Sequence, residues 1–200
     1  MSFEKYKMAG AVALFLSAGS VMAATGDTGT ITFHGLVSNN TCKVSLDQKI
    51  DQSGNDFDVN LDTVFVKDFT AATQGAASTL GQKKFTLSLT ECTTASTTAS
   101  AQFKSWAGTT ATSGGMLVPP SNAQGAAKNV NLVLSNDGNS DTSQVVVDQT
   151  NNTQKATITN NAANLYYRVA YTQGQGWDAT TNPVTAGTVQ AQVAFTMIYE

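Results

Sequence analysis

From Gly29 onwards the chain alternates apolar and polar residues with period two, the spacing that places one set of side chains on each face of a strand. The clearest run closes the sequence. Gly187, Val189, Ala191, Val193, Phe195, Met197 and Tyr199 share one parity, and Thr188, Gln190, Gln192, Ala194, Thr196 and Ile198 share the other. Such a strand buries one face along most of its length. A second run sets Gly29, Ile31, Phe33, Gly35 and Val37 against Thr30, Thr32, His34 and Leu36. Helical periodicity is almost absent. The alternation predicts strands at Gly29–Val37, Thr41–Leu46, Asn60–Val66, Lys84–Leu89, Ala101–Trp106, Val130–Leu134, Gln144–Val147, Lys155–Thr159, Leu165–Tyr171 and Thr188–Tyr199. Asp51–Asn55, Gly114-Gly115, Pro119-Pro120, Asn136–Asn139 and Gly174–Gly176 read as turns. Many short strands at this spacing predict a single two-sheet sandwich. The Thr/Ala/Ser-rich stretch Thr93–Ser100 is a loop inside the strand series and marks no domain boundary.

The residues before the first alternating run have a different character. Lys5 and Lys7 precede an apolar run, Met8–Ala18, and then Val21-Met22-Ala23, which suits cleavage after Ala23. The apolar run is far shorter than the roughly 20 residues needed to cross a bilayer, so residues 1–23 read as a secretory signal peptide. Export changes the reading of Cys42 and Cys92, because an oxidising compartment lets two thiols persist as a disulfide. They are the only cysteines, and with one remote histidine they fall short of a four-ligand metal site.

Composition narrows the partners. The chain is 41% hydrophobic and 12% charged, with a net charge of −3, and no stretch concentrates Lys or Arg. Nucleic acid, whose backbone is held through clustered cations, is therefore not an expected partner. His34 and Arg168 are the single histidine and arginine, and no nucleophile pattern accompanies either. No enzyme activity and no cofactor is expected. Gly174-Gln175-Gly176 lacks the third glycine and following helix of a dinucleotide loop. Trp106 and Trp177 are candidates for stacking on sugars, although such aromatics more often pack in a core or loop. They define the alternative function, a secreted monomeric β-sandwich that binds carbohydrate.

The alternating segment before Cys42 argues against a self-contained binding module, since a projecting half-apolar strand has to be covered by another surface. Four features then converge: Gly29–Val37, Cys42 soon after it, Cys92 preceded by Phe85–Leu89, and the ending Gly187–Glu200, with a glycine thirteen positions before the last residue and a penultimate tyrosine. On these features the chain resembles a structural subunit of chaperone–usher fimbriae, of the type 1 major pilin kind, over essentially the whole of residues 24–200.

The resemblance implies an all-β fold: an immunoglobulin-like β-sandwich that is incomplete and is completed by a donor strand from a neighbouring subunit or a chaperone. It divides the chain into a signal peptide (1–23), an N-terminal donor extension (24–38) and a pilin domain (39–200). Gly29, Ile31, Phe33, Gly35 and Val37 would face a neighbour's groove, with Gly35 where the family requires a residue without a side chain. Val189, Val193, Phe195 and Met197 would line the acceptor groove. Gly187 and Tyr199 would complete the C-terminal motif, and Tyr199 with Glu200 would form the end held by the chaperone. The implied partners are like subunits, a periplasmic chaperone and an outer-membrane usher, and the implied location is a fimbrium on the cell surface. An unpaired edge beside an apolar groove templates aggregation, which accounts for the need for a chaperone.

Overall fold

The computed structural model describes residues 29–36, 42–47, 56–93, 96–138, 140–150 and 154–200. The expected signal peptide, Val37 and the Asp51–Asn55 turn lie outside these residues. Eleven strands follow in order among the described residues: β1 (Gly29–Leu36), β2 (Lys43–Leu46), β3 (Asp56–Leu61), β4 (Leu80–Thr90), β5 (Thr98–Trp106), β6 (Thr110–Ala111), β7 (Leu117–Val118), β8 (Val130–Asn136), β9 (Ala156–Thr157), β10 (Ala163–Gln173) and β11 (Val189–Tyr199). They form two sheets, one ordered β3-β1-β11-β5-β9 and the other β2-β4-β10-β8-β7-β6. The all-β sandwich expected from the alternation is the fold of the chain.

The core lies between the sheets. Phe103 and Phe195 from the first sheet meet Phe85, Leu87, Leu134, Leu165 and Tyr167 from the second, all essentially inaccessible to solvent. Tyr167 is its hub: its ring stands edge-on to Phe103 at 5.1 Å and tilted to Phe85 at 5.6 Å, the offset and edge contacts that aromatic quadrupoles favour. The Cys42–Cys92 disulfide is formed, and it closes one edge of the second sheet, where Lys43 of β2 pairs with Thr90 of β4.

Several element limits differ from those expected. The segment read as Asn60–Val66 is strand only to Leu61, because the alternation that is actually buried is Phe57, Val59, Leu61 against Asp56, Asp58 and Asn60. Beyond it the chain leaves the sheet into a short 3-10 turn, Val66–Asp68, closed by the Phe65 amide donating to Asp68 Oδ2 at 2.9 Å. Gln144–Val147 is not a strand. Val145 and Val147 are buried, but their amides donate to different neighbours, Leu134 O and Gly115 O. Lys155–Thr159 shrinks to the two residues of β9, while β5 reaches back to Thr98 and absorbs the end of the predicted loop.

One side chain continues the pairing of a strand. Where β8 ends, Gln154 accepts from the Tyr166 amide and donates to the Tyr166 carbonyl, both at 2.7 Å, and that carbonyl also accepts from the Asp137 amide at 2.9 Å.

Candidate functional site

The residues singled out at the two ends of the sequence are brought together. β1 lies inside the first sheet, between β3 and β11. It runs antiparallel to β3, with Phe33 opposite Phe57, and parallel to β11, with Gly29, Ile31, Phe33 and Gly35 opposite Val189, Ala191, Val193 and Phe195. It makes the one parallel strand pair among the described residues. In the single chain, therefore, the strand expected to complete a neighbour occupies the corresponding place in its own sandwich. The physical reason is proximity: a tethered segment faces its own sheet at an effective concentration of about millimolar.

The two walls of this slot follow from their patterns. On β11, Val189, Ala191, Val193, Phe195 and Met197 are buried in strict alternation. On β3, Phe57, Val59 and Leu61 form the opposite wall, which the sequence reading missed by placing that strand four residues late. The alternation from Asp56 to Leu61 was the signal for it. Phe57 and Phe195 come from the strands on either side of β1, yet their rings stack nearly parallel at 6.0 Å. The two strands are separated by a full strand width on each side of β1, roughly 10 Å in all. The rings thus reach across β1 near Gly35, which stands opposite Phe195 and adds no side chain to the gap.

Gly187 has a separate reason to be glycine. It sits just before β11, beneath the turn at residues 123–127, where Thr188 donates to Gly125 O at 2.8 Å and Ala127 donates to Thr188 O at 2.9 Å. A Cβ there would lie 2.4 Å from the Ala127 nitrogen and 2.6 Å from Gly125 O, both backbone atoms with no room to yield. Gly187→Ala is expected to destabilise the subunit by about 1–3 kcal/mol, the usual range for forced overpacking. A urea melt of the two proteins checks it, and coincident midpoints would refute the close-approach account.

The other end of β11 is tied to β5. Tyr199 pairs with Ala99, and its hydroxyl is shielded from solvent without a hydrogen-bond partner among the described residues. That burial pushes its ionisation above the ordinary value of 10.0. Glu200 accepts from the Thr97 and Thr98 amides through its main-chain oxygen, at 2.7 and 2.9 Å, while its carboxylate meets Lys155 Nζ at 2.6 Å. His34 stands opposite Asp56 and Ala194 in the sheet register. Among the described residues no cluster of His, Cys, Asp or Glu is arranged to hold a metal ion.

Two packed sheets, one of them cross-linked at its β2–β4 edge by a disulfide, with the first described strand of the other set between two neighbours, make this an immunoglobulin-like sandwich subunit. Residues 29–200 match the family described as Fimbrial protein. Over 190 residues the chain is 32% identical to the major fimbrial subunit SMF-1 of Stenotrophomonas maltophilia (strain K279a), an alignment covering 91% of this chain and 98% of that protein. Among solved structures, the type I fimbria protein BPSL1626 of Burkholderia pseudomallei is similar at a TM-score of 0.45 and 22% identity, covering 86% of this chain and 95% of that one. The CupB6 tip adhesin of Pseudomonas aeruginosa is similar at a TM-score of 0.41 and 15% identity, covering 59% of this chain and 34% of that one. The chain belongs to the fimbrial protein family. It is a structural, non-enzymatic subunit of a cell-surface fimbrium that assembles with other pilin subunits.

Proposed function

We propose that this subunit polymerises by donor-strand exchange. Residues 29–37 of one subunit take, in the next, the place that β1 occupies here, after capture by a periplasmic chaperone and delivery by an outer-membrane usher. The division into residues 1–23, 24–38 and 39–200 belongs to the same reading, the middle segment being the part handed on.

The observation that carries the reading is the position of β1. β1 lies between β3 and β11, and both of those neighbours present a row of buried apolar side chains. Its departure leaves the edges of β3 and β11 unpaired and the buried row Val189–Met197 uncovered, a surface that demands a replacement strand. A second copy carries the same sequence, so it offers the same alternation to the same walls. Burying Ile31, Phe33 and Val37 contributes about 1.5–3 kcal/mol apiece, and each backbone bond adds roughly 0.5–1.5 kcal/mol. Such a joint is durable once made.

A labelled synthetic peptide of residues 24–37, added in excess to the mature protein in mild denaturant, tests this directly. One peptide per subunit is expected to enter the sandwich and release the chain's own first strand, read by native mass spectrometry and by loss of amide protection in residues 29–36. Absence of uptake while those amides exchange freely would overturn strand replacement.

A further inference from the structure

Trp177 is half-buried and packs against the core, as indoles in such folds usually do, but Trp106 is 48% exposed. It is the last residue of β5 and stands opposite Gln192 of β11, on the outer face of the first sheet. A turn follows it at once, with the Thr109 amide donating to Trp106 O at 3.0 Å, and the Thr109 hydroxyl accepting from the Gln192 amide at 2.8 Å. Beside these residues the surface sinks into a hollow of about 140 Å³, walled by Ala107, Thr109, Pro120, Thr188, Gln190 and Gln192.

We propose that Trp106 and this hollow form a binding site for a neutral saccharide. A flat, exposed indole is a costly surface to leave in water and suits the C–H face of a sugar ring. The primary amide of Gln190, at an exposed position, offers a carbonyl acceptor and two N–H donors, the mixed set that ring hydroxyls need. No residue lining the hollow carries a charge, which leaves an anionic ligand without a counter-ion. The nearest charge on the same outward row of β5 is Lys104, two residues before Trp106 and opposite Ala194. The hollow is smaller than the roughly 300–1,000 Å³ of a drug-sized pocket, so it admits one ring and leaves the rest of an oligosaccharide over the indole.

The site does not depend on strand exchange, because β5, β11 and the 107–126 segment form it within one subunit. In a fibre it recurs along the shaft, and weak single contacts add through avidity.

The test is a printed panel of neutral oligosaccharides, with sialylated and sulfated ones as charged comparators, probed with the mature subunit. Binding of at least one neutral saccharide is expected, accompanied by a change in Trp106 fluorescence. Trp106→Ala is expected to weaken that binding about tenfold, the scale of one lost aromatic contact. Gln190→Ala, at an exposed position whose loss leaves the fold intact, should also weaken it. Unchanged melting curves for both variants show that the loss is local. Failure to bind any neutral saccharide, binding confined to charged ones, or equal binding by Trp106→Ala would each overturn the assignment.

Discussion

Subunits carrying Gly35→Leu are expected to build no fibres, although the same cells export the variant and hold it in the periplasm. The reason lies in the stack of Phe57 on Phe195, whose rings meet at 6.0 Å from strands on opposite sides of β1. Residues paired across a strand share a face of the sheet, and Gly35 is paired with Phe195. A leucine there would enter the gap the rings have closed, and either the stack opens or the strand slips. A slip by one residue turns every apolar side chain of the segment to the opposite face. Overpacking of this kind costs about 1–3 kcal/mol, and it recurs at each joint. Electron microscopy of cells expressing the variant beside its assembly partners reads the outcome, and fibres of ordinary length would remove Gly35 from the contact. Gly35→Ala is a graded control, expected to shorten fibres less.

Removing the disulfide should have the largest effect on the subunit itself. Cys42 and Cys92 are 50 residues apart in sequence, and both are buried. In the chain-entropy description, freeing a loop of that length stabilises the unfolded state by about 4 kcal/mol. The double variant Cys42→Ala/Cys92→Ala is preferable to serine, which would bury two hydroxyls that lack designed partners. Its urea midpoint is expected to fall by the equivalent of about 2–5 kcal/mol, and the protein should become prone to aggregation at 37 °C. A shift below about 1 kcal/mol would mean that the native β2–β4 pairing, not the cross-link, sets the stability of that edge.

How much of this was legible in the residues depended on whether one strand's pattern stood alone. β11 could be read almost to the residue, because Val189 to Met197 alternate without interruption and bury one face. β1 could be read as a strand, but its alternation carries no information on its partner: the sequence reading assigned it to a neighbour's groove, and in the single chain it pairs with β11. β3 was placed four residues late, since Val64, Phe65 and Val66 form an apolar run that overrode the weaker Phe57-Val59-Leu61 signal. That run folds as a turn, and two of its members, Phe65 and Val66, are exposed. Val145 and Val147 were read as a strand because buried residues at period two imitate one, but their amides serve two different neighbours. The Gln154 amide that continues the pairing of β10 has no pattern at all, being a single side chain matched to a distant backbone. The exposure of the indole at 106 was legible in its parity, since it continues the outward row of Gln102 and Lys104 against buried Ala101 and Phe103, whereas Trp177 lies outside the strands and no alternation bears on it.

The covalent bond between Cys42 and Cys92 has a mechanical meaning. Cys42 stands five residues beyond Val37, so a pull delivered through the first strand reaches a cross-link before it reaches β2. Force along the strand axis also loads all of its ladder bonds side by side, and they must shear together instead of parting one after another. Rupture under load is governed by the rate of crossing such a barrier and not by equilibrium stability. A shaft built from these units would resist a sudden tug far better than its folding free energy suggests, and the loop from Cys42 to Cys92 would stay closed whichever ladder parted first.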